Sequence, residues 1–190
     1  MKRILIVITL TTLIFACKKE DDKPTTTTTT NIEGCTDSSA TNFLATATVD
    51  DGSCEYPASG LQLSSITVNS MPMTNNGSNW DVGAFGLEYP DVFYVLKQGV
   101  GDIVSSSSQD NIATFPILFT ENLPYTINVL SQEYTIELYD NDQIAGIGGN
   151  ELIGSCSFTP NELITTLSIS DELNITNNGL DMTLDIEWLQ

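Results

Sequence analysis

Between Tyr134 and Gly154 the chain reads YTIELYDNDQIAGIGGNELIG, with Asp140 and Asp142 two residues apart, a Gly-rich loop behind them, and Asn150 and Glu151 on the return. Acids so placed can cap a solvated turn, because Asp and Asn accept hydrogen bonds from nearby backbone. They can equally supply oxygen ligands to a cation. Such ligands suit calcium, which takes about six to eight oxygens at flexible geometry; magnesium wants a tighter octahedron and zinc wants nitrogen or sulfur. A second acidic region lies upstream, at Trp80-Asp81 and at Asp91, which leads into Val92-Phe93-Tyr94-Val95. Carboxylates brought together repel and raise one another's pKa unless a cation lies among them.

The stretches that must position these acids read as β-strands. Leu180, Met182, Leu184, Ile186 and Trp188 alternate with Asp181, Thr183, Asp185 and Glu187, a period of two that buries one face and wets the other. Similar runs occur at 61–68, 92–96, 112–119, 125–130, 134–139, 152–158 and 167–169, separated by clusters of Asn, Gly, Ser and Pro. A short helix is expected over Pro160–Ile164, with Pro160 at its first turn. About eight strands in a segment of this length predict an all-β, eight-stranded antiparallel sandwich over residues 58–190.

The composition narrows the chemistry further. Hydrophobic residues make up 41%, enough for a core, while Lys+Arg 6 against Asp+Glu 25 gives a net charge of -19. That balance excludes nucleic acid as a partner and opposes simple docking on anionic lipid. There is no histidine, which removes the commonest general base, the Ser-His-Asp triad and the usual zinc ligand. The chain is therefore read as a non-enzyme. Within the predicted sandwich, Lys97 is the sole base against 17 acids.

The N-terminus carries a different set of signals. Lys2-Arg3 precede an apolar run from Ile4 to Phe15, the pattern of a secretory signal over residues 1–16. Ile14-Phe15-Ala16-Cys17 resembles a bacterial lipoprotein signal, which implies lipidation of Cys17 and anchorage to a membrane. Lys18-Lys19-Glu20-Asp21-Asp22 resembles the export signal that sends lipoproteins to the cell surface in certain Gram-negative lineages. Residues 17–32, with Thr25 to Thr30, read as a disordered tether. Secretion favours pairing of Cys35 with Cys54, which would staple a small module over 33–57 that has few apolar residues. Gly34-Cys35-Thr36-Asp37, Ala40-Thr41-Asn42-Phe43 and Val49-Asp50-Asp51-Gly52-Ser53-Cys54 resemble a disulfide-bounded repeat of bacterial surface proteins, similar in character to thrombospondin type 3 calcium repeats. Its acids read either as calcium ligands or as turn residues. Cys156, between polar neighbours, is expected to pack inward as a small apolar group.

Residues 61–190 resemble a C2 domain, a sandwich that binds calcium between loops at one end. The resemblance rests on Asp81 before the first loop, Asp91 opening the next strand, Asp140-Asn141-Asp142 after a later strand, and Glu151 before Leu152-Ile153-Gly154. It implies calcium as cofactor and Asp81, Asp91, Asp140, Asp142 and Glu151 as its ligands. The chain departs from the pattern in a long Asp81 to Asp91 interval, in extra glycines at 146, 148 and 149, and in having glutamate last. The expected function is a lipid-anchored module of the outer membrane or cell surface, binding or adhering through calcium loops to a protein, glycan or lipid. The alternative is calcium-dependent phospholipid binding, with Met71, Met73, Trp80 or Phe85 inserting. A glycan hydrolase using two carboxylates and an inert spacer are the remaining readings.

Overall fold

The structure, a computed structural model, describes residues 30–81, 89–142, 149–164 and 171–190. The predicted signal, Cys17, most of the tether, Phe85, Gly146, Gly148 and the strand expected at 167–169 lie outside these residues. Nine strands are present among them: β1 (Gly60–Ser70), β2 (Val92–Gln98), β3 (Gly101–Ser105), β4 (Ile117–Phe119), β5 (Tyr125–Ile127), β6 (Tyr134–Asn141), β7 (Asn150–Phe158), β8 (Glu172–Asn177) and β9 (Leu180–Leu189). One sheet runs β4-β1-β9-β8, with β5 also on β1, and the other runs β3-β2-β6-β7; every pairing is antiparallel. β4 pairs with Ile66 to Val68 and β5 with Leu61 to Leu63, so the two form one interrupted edge and the sandwich has eight strand positions. The predicted all-β antiparallel sandwich is the fold observed, and helix α1 spans Pro160–Ile164 as expected.

The period of two works out as read. Leu180, Met182, Leu184 and Ile186 of β9 are buried against Tyr94 and Leu96 of β2 and Ile136 and Leu138 of β6, all members of one core. Each such side chain contributes about 1.5–3 kcal/mol by leaving water. In β1 the inward set is Leu61, Leu63, Ile66 and Val68, a change of parity produced by a register shift between Leu63 and Ser65. The run at 112–119 forms a strand only over its last three residues. Its first half is loop, anchored where the Ile112 N–H donates to the Pro90 carbonyl at 2.9 Å. Cys156 is buried on β7, and burial pushes its thiol above the ordinary value.

Cys35 and Cys54 are joined as predicted. Around them the acids serve the backbone. Asp37 accepts from the Ser39 N–H at 2.9 Å and from the Tyr56 hydroxyl at 3.0 Å; Asp50 accepts from the Gly52 N–H at 2.7 Å and the Thr36 hydroxyl at 2.9 Å; Asp51 accepts from the Ser53 N–H at 2.9 Å. These bonds hold all three carboxyls below the usual range, the signature of turn acceptors. Cys35 and Ala40 are the buried apolar residues there, so the crosslink must supply what a core would. Replacing both cysteines with Ser is expected to cost this segment about 3 kcal/mol. Limited proteolysis should then cut within 33–57 while the melting temperature of the sandwich stays unchanged.

Candidate metal centre

The centre begins with the parity of β6. Tyr134, Ile136, Leu138 and Asp140 fall on its inward face, so the alternation that buries three core residues carries a carboxylate in with them. Asp140 is 0% exposed. Its Oδ1 accepts the Asp91 N–H at 2.7 Å, while its Oδ2 is buried without a hydrogen-bond partner. A buried, unpartnered carboxylate oxygen costs free energy unless something positive meets it. One oxygen each of Asp81, Asp140 and Asp142 lie within 4.8 Å of one another, which brings the first loop onto the tip of β6.

Asp91 and Glu151 stand beside this trio. Asp91 Oδ1 accepts the Asn111 N–H at 2.6 Å, and the Asp91 carbonyl accepts the Asn141 N–H at 2.9 Å, so Asp91 ties the start of β2 to two other segments. Glu151 pairs in register with Asp140, and its Oε2 accepts the Asn75 amide at 3.1 Å. Both are near enough to add repulsion at Asp140.

The electrostatics follow from the crowding. Burial raises Asp81 to about 6, and repulsion from Asp140, Asp91 and Asp142 adds to it. Burial likewise raises Asp140 to about 6; the Asp91 N–H opposes the shift, and Asp142, Asp91 and Glu151 reinforce it. Burial and Glu151 raise Asp142 too, while a hydrogen bond from Asp81 pulls the other way. Below about pH 6, in the metal-free molecule, Asp81 holds a proton and donates it in a hydrogen bond to Asp142. The donors are carboxylate and amide oxygens without nitrogen or sulfur, the set that a hard cation such as calcium takes.

Asn111 is the residue that sequence reasoning missed. It lies in the β3–β4 segment, adopts a left-handed φ of 52°, and its Oδ1 is buried without a partner. Asp91 links this orphan to the other one, accepting from Asn111 on one side and donating to Asp140 on the other. The only signal was the Asp110-Asn111 pair itself, since Asn tolerates left-handed backbone. Ser108 reaches the same place, its Oγ lying 3.2 Å from the Asn141 amide that donates to it.

The residues expected to insert into a membrane are placed otherwise. Met71 is 5% and Trp80 7% exposed, both within the core, and Met73 packs against it. Trp80 Nε1–H donates to the Pro72 carbonyl at 2.9 Å, which fixes the ring directly before Asp81.

No protein-family model matches the chain, and a search of curated proteins finds no match. Among solved structures it is similar to one described as a C2 domain, at 14% identity and TM-score 0.40, over 69% of this chain and 98% of that one. It is also similar to the paired, calcium-bound C2 domains of extended synaptotagmin 2, at 16% identity and TM-score 0.45, over 70% of this chain and 46% of that one. Against human GIVD cytosolic phospholipase A2 the identity is 10% and the TM-score 0.44, over 70% of this chain but only 18% of the enzyme. At these scores the likeness assigns neither family nor function, and the assignment of the centre rests on its own residues.

Proposed function

We propose that this chain is a non-enzymatic, surface-anchored module that binds calcium at one end of its sandwich, through Asp81, Asp140 and Asp142 with Asp91, Glu151 and Asn111 in support. The observation that carries this reading is Asp140: a fully buried carboxylate, fixed through one oxygen by the Asp91 backbone, whose other oxygen has no partner beside two further carboxylates. Calcium neutralises that charge and draws three interstrand segments together. The ordered end is then a docking surface for a protein or glycan. The lipoprotein-like Ile14 to Cys17 segment and the charged, Thr-rich stretch after it support placement at the cell surface, and the lack of histidine supports a binding role over a catalytic one.

Terbium, a luminescent stand-in for calcium, tests the site directly because Trp80 precedes Asp81. Excitation of tryptophan is expected to produce sensitised terbium emission that calcium competes away and that Asp142→Asn abolishes. Emission that calcium leaves unchanged, or no emission together with no effect of calcium on melting, overturns the reading.

A further inference from the structure

A cleft of about 420 Å³ opens on the outer face of the four-stranded sheet, running from Asp102 on β3 across Phe93 and Tyr139 to Asn150, the residue before Glu151 at the start of β7. That volume falls within the range of small-molecule sites, about 300–1,000 Å³. Alternation along β2 and β6 turns Phe93 and Tyr139 away from the core. They are register partners, stacked with ring centroids 5.5 Å apart and planes 18° from parallel. The Tyr139 hydroxyl donates to Glu137 at 2.6 Å, so this aromatic wall is fixed before any ligand arrives.

Charge decides what fits against it. Lys97, the single base of the sandwich, lies 3.0 Å from Glu137 and 3.5 Å from Asp102, and its charge is committed to them. An anion finds no free cation here. Asp102 lines the cleft with its side chain 71% exposed, and Val95, on the same outward face of β2 as Phe93, completes an apolar wall. Glu137 and Asp102 are two carboxylates to the one ammonium of Lys97, so the cleft keeps a net negative charge, and with the aromatic pair beside it that complements a cation with an apolar body. We propose that this cleft binds a small aliphatic amine, with the ammonium head against Asp102 and the aromatic pair and the stem along Val95.

Three probes of one size and different charge test this: pentylamine, pentanol and pentanoate, titrated into the full chain in excess calcium and again in chelator. Ring resonances are followed by NMR. Pentylamine is expected to shift the Phe93 and Tyr139 signals in both conditions and to bind about fivefold more tightly than pentanol, the margin of an exposed cation–π contact. Pentanoate should leave the signals unmoved. Asp102→Asn should reduce the advantage of the amine over the alcohol, and Phe93→Leu, which keeps an apolar side chain on the strand, should weaken the amine. Equal binding of pentanol marks an apolar cleft without charge selection and overturns the proposal. A shift confined to chelator, which would place the amine in the acid cluster, or no shift at all, does so as well.

Discussion

Asp140→Asn is expected to raise the melting temperature of the calcium-free protein and to abolish its response to calcium. Both effects come from one oxygen. At pH 7 Asp140 is ionised although burial has raised it from 3.8 to about 6. Holding the charge there costs on the order of 3 kcal/mol, at about 1.4 kcal/mol per pKa unit. Asparagine keeps an Oδ1 to accept the Asp91 N–H and removes the charge, but its amide adds a donor that needs a partner. The net gain is therefore about 1–2 kcal/mol, a rise of several degrees for a domain of this size. Calorimetry in chelator and in calcium checks both halves. Were Asp140 only a turn residue, the substitution would lower the midpoint and leave any effect of calcium intact.

Calcium itself is expected to raise the midpoint by roughly 10 °C at a hundredfold excess over its dissociation constant, since ligand that binds only the folded state then adds about 2.7 kcal/mol. The pH dependence should separate the two forms. Without calcium, Asp81 and Asp140 hold protons in the folded state up to about pH 6 that the unfolded chain releases near 3.8. Their contribution is fully present below 3.8 and lost as pH rises through about 6. The midpoint in chelator should consequently rise as pH falls from 7 to 5. In calcium the gain should shrink over the same interval, because protons compete for the same oxygens. Asp37, Asp50 and Asp51 do not confuse the window: their carboxyls lie below the ordinary range and lose their contribution only at lower pH. Identical pH profiles with and without calcium would sink the assignment.

Much of this was legible in the residues. A period of two fixes which face of a strand is apolar, so β1, β2, β6, β7 and β9 were recoverable, and extending the β6 alternation by one step buries Asp140. Two elements escaped. GDIVS of β3 offers too little alternation to read as a strand, and ELNITN of β8 has only Leu173 buried and Ile175 half-buried. Both are edge strands that rely on a neighbour to order them. The Cys35–Cys54 pairing was also recoverable, because a segment with so little to bury needs a crosslink to hold it.

What the sequence determined alone was the sandwich, its core faces and the supply of acid at the ends of its strands. Which oxygens share a point was decided by the tertiary structure. Asp81 reaches the tip of β6 from 59 positions upstream, Asn111 arrives from the position just before a run that reads as strand, and Asp91 turns its carboxylate to the Asn111 backbone. Periodicity is a property of one strand and says which way a side chain faces. Convergence of three loops depends on hydrogen bonds between segments far apart in the chain, such as Asp91 to Asp140 and Asn111 to Asp91, and these exist only once the two sheets have packed.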